Sequence, residues 1–144
     1  MIENDTIKLL RECDAGVKMG VKSIDDVTKH VNSGNFRALL CDCKIKHEEL
    51  GEEIRTQLER FGDDGKNPNI IASGMSHMKT GIKIAMHDSD KTIASLMTDG
   101  CNMGVKSLNK YLNQYKAADE YSKDIAKRLI NLEEKLAVDI REYL

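Results

Sequence analysis

Apolar residues recur along this chain at alternating steps of three and four, the spacing that lines one face of an α-helix, rather than at the step of two that a half-buried strand needs. The first such stripe holds Ile7, Leu10, Val17, Val21, Ile24 and Val31, with Asp14 and Thr28 in the same row, and Asn32-Ser33-Gly34-Asn35 breaks it. The second runs Phe36, Leu40, Cys43, His47, Leu50, Ile54 and Phe61 and stops at the turn-forming stretch from Gly62 to Pro68. A third carries Ala94, Cys101, Val105, Leu108, Leu112 and Tyr115, and a fourth Ile125, Ala126, Leu129, Leu136, Ile140 and Tyr143. The spacing therefore predicts four long helices over about 5–31, 36–61, 88–116 and 119–143. A shorter series, Ile71, Met75, Met78, Ile82 and Ala85, predicts a connector helix over about 70–86. Pro68 is the one proline, there is no Trp, and aromatics are 4% of 144 residues, which favours helix over sheet. A chain of this length is expected to form one domain, 1–144, with a core of its own.

The pentapeptide Met-Gly-Val-Lys-Ser occurs twice, at 19–23 and 103–107. Laying the third helix on the first at that offset of 84 pairs Val21 with Val105, Ile24 with Leu108, Gly16 with Gly100 and Asp14 with Thr98. Laying the fourth on the second at an offset of 86 pairs Leu50, Ile54, Arg55 and Leu58 with Leu136, Ile140, Arg141 and Leu144. Two registers that agree within two residues describe a duplicated helical hairpin. Two hairpins joined by a long link make an all-α four-helix bundle. As a helix, residues 70–86 would reach about 25 Å, enough to act as a crossover along the bundle and set the third long helix parallel to the second.

Glu12-Cys13-x-x-Gly16 near the start of the first helix, the connector stretch Ser76-His77-Met78-Lys79-Thr80-Gly81, and Asp90 to Gly104 at the opening of the third long helix resemble the ferritin-like superfamily. Within it they are similar to a bacterial branch of four-helix-bundle domains of unknown function, and the likeness covers residues 4–144. The resemblance implies a ferritin-like bundle and a metal-binding ancestry.

A ferritin-like di-iron centre takes a Glu from each of two helices and Glu-x-x-His from each of the other two, because the i, i+3 step puts both ligands on one face. The residues three before His30, His47, His77 and His87 are Val27, Lys44, Gly74 and Ile84, so no Glu-x-x-His exists. Counting from the turns places His47 level with Met19, Gly20 and Val21, and Glu133 level with Met103, Gly104 and Val105. None of those six can bind iron. Asp14 and Thr98 lie about 9 Å further along the axis. His47 and Glu133 are therefore expected to form a buried structural polar pair, and the di-iron site to be degenerate or absent, with no cofactor. The alternative is a metal-binding oxidoreductase or iron-storage relative that holds iron, manganese or zinc through His47, Glu133 and Asp14, with Glu12 or Asp99.

Cys41 and Cys43 form Cys-x-Cys, a step that sends them to opposite sides of a helix, so Cys43 is expected in the core and Cys41 at the surface. Lys and Arg number 22 against 24 Asp and Glu, for a net charge of −2, and no basic stripe with aromatics marks nucleic-acid binding. Neither Gly-x-Ser-x-Gly nor a glycine-rich phosphate loop is present, so no catalytic residue is assigned. The start has no basic segment followed by an apolar one, and nowhere do 18 apolar residues run together. The expectation is a cytoplasmic binding or structural module rather than an enzyme, without membrane contact, whose company is a homo-oligomer or a protein partner. Met75, Met78 and Met86 on the connector are core candidates that also suit an adaptable contact surface.

Overall fold

The computed structural model describes residues 2–68 and 89–144. Among them are four α-helices and no strand: α1 (Ile2–Thr28), α2 (Gly34–Arg60), α3 (Ser89–Gln114) and α4 (Glu120–Asp139), with one 3-10 turn at Arg141–Tyr143. The connector expected over 70–86, including Met75, Met78 and Met86, lies outside the described residues. No described helix is long and apolar enough to cross a membrane.

Local hydrogen bonds set several of the helix ends. Ser33 caps α2 by accepting from the Phe36 N–H at 3.2 Å, and Asp119 caps α4 by accepting from the Ser122 N–H at 2.7 Å. Gly62, at φ +67, ends α2 in the left-handed conformation. There its N–H donates to Glu59 O and the Asp63 N–H to Leu58 O, which satisfies two helix-end carbonyls. α1 stops at Thr28, three residues before the expected end, because the His30 and Val31 N–H groups turn back to Val27 O and Thr28 O. α4 stops at Asp139 rather than 143. The last residues tighten into the 3-10 turn, and Tyr143 stacks on Phe36 with ring centroids 4.4 Å apart.

The directions of the helices follow from hydrogen bonds at the two ends. Asn32 and Ser33, in the α1–α2 turn, donate their N–H groups to the Asp90 carboxylate at 2.7 and 2.9 Å, so α3 starts where α2 starts and runs parallel to it. At the opposite end the α3–α4 turn leans on the beginning of α1: Ala117 N–H donates to Asp5 Oδ2 at 2.9 Å and Asp119 N–H to Thr6 Oγ1 at 2.8 Å. The chain thus leaves α2 at one end and re-enters α3 at the other.

Inside, the apolar side chains gather in two clusters. One contains Leu9, Leu10, Val17, Leu50, Ile54, Leu58, Ile125 and Leu129; the other contains Ile24, Val27, Phe36, Leu40, Ile93, Met97, Leu136 and Ile140. Full burial of one such side chain is worth roughly 1.5–3 kcal/mol, so these two clusters supply the main driving force for closing the bundle. Between the two clusters, at mid-height, lie His47 and Glu133.

Candidate functional site

His47 occupies a position of the buried stripe of α2 that an apolar residue would otherwise fill, and it is 1% exposed. Its Nδ1 lies 2.8 Å from the carbonyl oxygen of Cys43, one turn earlier. A carbonyl only accepts, so Nδ1 carries a hydrogen. On the other side of the ring, Nε2 is 3.0 Å from Glu133 Oε1 on α4. With Nδ1–H committed, this contact needs a proton between Nε2 and Oε1, whether it is written as imidazolium with carboxylate or as imidazole with carboxylic acid.

Burial by itself disfavours the charged ring, but the hydrogen bonds to Cys43 and Glu133 and the carboxylate's charge outweigh it, and the His47 pKa is raised well above its ordinary value. Two thiols complete the surroundings. Cys43 Sγ is 3.5 Å from Nδ1. Cys101 on α3 lies near Glu133, and its pKa is driven up by burial first and by the Glu133 charge second.

Glycines make the room. A Cβ on Gly20 of α1 would stand 2.9 Å from His47 Cδ2 and 3.0 Å from Nε2, closer than side chains tolerate. At Gly104 of α3 the nearest atom is Glu133 Cδ, at 3.7 Å, an ordinary contact. The imidazole thus fills the space that any larger residue at position 20 would take.

The other candidates are placed elsewhere. Asp14 is buried, but it serves the loop after α2: its Oδ2 accepts from the Lys66 N–H at 3.0 Å and pairs with Lys18 Nζ at 2.7 Å. Glu12 holds the Lys66 ammonium, and Asp99 is exposed on α3. Cys43 is buried and Cys41 exposed. Burial, reinforced by the charges of Glu12 and Asp14, pushes the Cys13 thiol up to about 12. His30 is exposed, and His77 and His87 lie outside the described residues.

A ferritin-like metal centre would need carboxylates and imidazoles from all four helices. At this level α1 and α3 present glycine, and the two donors that are present are bonded to each other. Among the described residues no group of three or more His, Cys, Asp and Glu is placed to hold a metal ion. The residues do not fit such a centre.

A groove of about 690 Å³ between α1 and α2 is floored by Val17, Val21 and Leu58 and walled mostly by carboxylates. Five of its carboxylates are paired, Asp14 by Lys18 and Glu52 and Glu59 by Arg55 within the groove, and Asp25 by Lys44 and Asp63 by Arg11 from beside it. On the α2–α4 face Arg128 grips Glu53 with two bonds of 2.7 and 2.8 Å, and Tyr121 donates to the same carboxylate. The residue pattern did not single out Cys101 beside Glu133, nor the roles of Thr6 and Asp90 at the hairpin turns. The signal for the latter was the offset itself, which carries Thr6 onto Asp90 and Ser33 onto Asp119.

Comparison of the chain with protein-family models, with curated proteins and with solved structures finds no match.

Proposed function

We propose that this chain is a ferritin-like bundle of two duplicated helical hairpins whose di-iron site has been replaced by a structural polar pair, and that it acts as a structural or protein-binding module rather than as an enzyme. The duplication is supported by the core positions that the two offsets map onto one another. An offset of 84 carries Leu9, Leu10, Val17 and Ile24 onto Ile93, Ala94, Cys101 and Leu108, and all eight are buried. An offset of 86 carries Leu40, Cys43, Leu50 and Ile54 onto Ala126, Leu129, Leu136 and Ile140, again all buried. The same offsets carry Gly20 onto Gly104 and His47 onto Glu133, so the relating axis passes through the polar pair.

The hydrogen bonds at the turns obey the same relation. Ser33 N–H donates to Asp90, and its counterpart Asp119 N–H donates to Thr6, the counterpart of Asp90. Both capping residues, Ser33 and Asp119, are likewise an offset pair.

The single observation that carries the non-metal reading is the 3.0 Å bond between His47 and Glu133 with glycine on both remaining helices. Among the described residues no group of three or more His, Cys, Asp and Glu converges there to hold a metal ion. Elemental analysis of protein purified without chelators tests this reading, with substoichiometric iron, manganese and zinc as the expected result. Stoichiometric metal in the wild type, lost in His47→Ala, would restore the metalloprotein alternative.

A further inference from the structure

Two hairpins with matched apolar faces have a choice of partner. Because most core positions of α1–α2 have an apolar counterpart in α3–α4, Phe36 with Ser122 and Ala15 with Asp99 being exceptions, each hairpin presents a similar surface to its mate. A second copy of this chain could therefore offer like for like, α1–α2 against α1–α2 or α3–α4 against α3–α4. The turn contacts discriminate little, since Thr6 and Asp90 each accept a backbone N–H that either turn supplies. One facing pair near the axis differs in kind between the halves.

We infer that the His47–Glu133 pair selects unlike hairpins, making α1–α2 close on α3–α4 of the bundle and disfavouring self-paired association of two copies. This rests on the duplication proposed above. In a pairing of two α1–α2 hairpins, His47 would face His47. Each ring has already committed Nδ1–H to its own Cys43 carbonyl, so two Nε2 lone pairs would meet, and relieving that by protonation puts unbalanced positive charge in a dry core. In a pairing of two α3–α4 hairpins, Glu133 would face Glu133, and one carboxylate would have to be neutralised. Only the unlike arrangement shares a proton with no net charge. From the elements around it the pair is faced by the thiols of Cys43 on α2 and Cys101 on α3, and by Gly20 and Gly104, which bring no side chain. A buried polar pair of this kind gives up some stability for specificity of partner.

The test uses the full chain. Two differently tagged copies are unfolded together, refolded and examined by sedimentation velocity and tag co-purification, for the wild type, the exchange His47→Glu with Glu133→His, and the apolar pair His47→Leu with Glu133→Met. The exchanged chain should refold to the same species as the wild type, because Leu129, one turn before position 133, offers a carbonyl to a histidine there. The apolar pair should yield additional associated species carrying both tags. An apolar variant that refolds to the wild-type distribution overturns the inference.

Should the apolar variant not fold, the single changes decide. His47→Glu places two carboxylates face to face and should melt several degrees higher on acidification from pH 8 to pH 5. Glu133→His places two imidazoles face to face and should shift in the opposite direction over the same range. The exchange must melt above both singles at pH 7, and an exchange that melts no higher than the better single also overturns the inference.

Discussion

Gly20→Ala and Gly104→Ala are the same chemical change at offset-equivalent sites near the middle of long helices, yet the structure assigns them opposite signs. Alanine in a helix interior is favoured over glycine by about 0.8–1 kcal/mol, chiefly through the entropy of the unfolded chain. At Gly104 the new methyl meets Glu133 at 3.7 Å, so nothing offsets that gain and the protein should be stabilised by about 0.5–1 kcal/mol. At Gly20 the methyl would stand 2.9 Å from His47 Cδ2, and the ring cannot retreat. It is fixed by the Cys43 carbonyl on one side and by Glu133 on the other. Overpacking of this kind costs roughly 1–3 kcal/mol, and part of the Nε2 bond is lost as the ring moves, so a net loss of about 1 kcal/mol or more is expected after the helical gain is subtracted. Equilibrium unfolding in guanidinium chloride, with both variants compared at one pH, reads the two signs as midpoint shifts in opposite directions. The cost at position 20 should also disappear in a His47→Ala background, where the double variant regains the helical gain. Equal stabilisation by both alanines, or a Gly20→Ala penalty that persists without the imidazole, would refute the assigned contact.

Three further outcomes follow from the same contacts. The raised His47 pKa means that the folded state binds its proton more tightly than the unfolded state does. That contribution is full below about pH 6.5 and falls progressively above it, by at most about 1.4 kcal/mol per pH unit, a slope that His47→Gln should remove from urea melts taken between pH 6 and 9. Glu53, held by Arg128 first and Tyr121 second, has its pKa lowered to about 2, so its contribution is present above about pH 4.5 and lost as pH falls through 2; because the pair is partly exposed, Arg128→Ala should cost no more than about 1 kcal/mol at neutral pH by thermal unfolding. Asp90→Ala removes a carboxylate that accepts from two turn N–H groups and Thr6→Ala a hydroxyl that accepts from one, so chemical denaturation should show a loss of about 1.5–3 kcal/mol for the first against about 1 for the second.

Much of this architecture is legible in the chain because helical bundles write their buried faces as a period, and each expected stripe residue in the described helices is buried or half-buried. The stripe understated the core. Leu9, Cys13, Val27, Ile93 and Met97 are buried as well, since a helix packed against several neighbours hides a face wider than one residue per turn. Helix ends were less legible: the 3-10 turn at Arg141–Tyr143 depends on Tyr143 finding the Phe36 ring, a contact across the whole chain that no local pattern encodes.

The centre shows the same division. That His47 and Glu133 lie at one height follows from counting residues from the turns, and the glycines at 20 and 104 mark a place where something must come close to a helix backbone. What counting cannot supply is which wall each side chain leans on. Asp14 sits in the same stripe as Val17 and looked equally inward, but the loop after α2 folds back along α1 and brings the Lys66 N–H to it. A carboxylate that read as a distant metal ligand is thereby bound to a turn. Its offset partner Thr98, among the described residues, donates its hydroxyl to Ala94 O within its own helix. An inward carboxylate is thus satisfied by whichever segment covers it, whereas His47 and Glu133 cover each other and are bonded to each other at 3.0 Å.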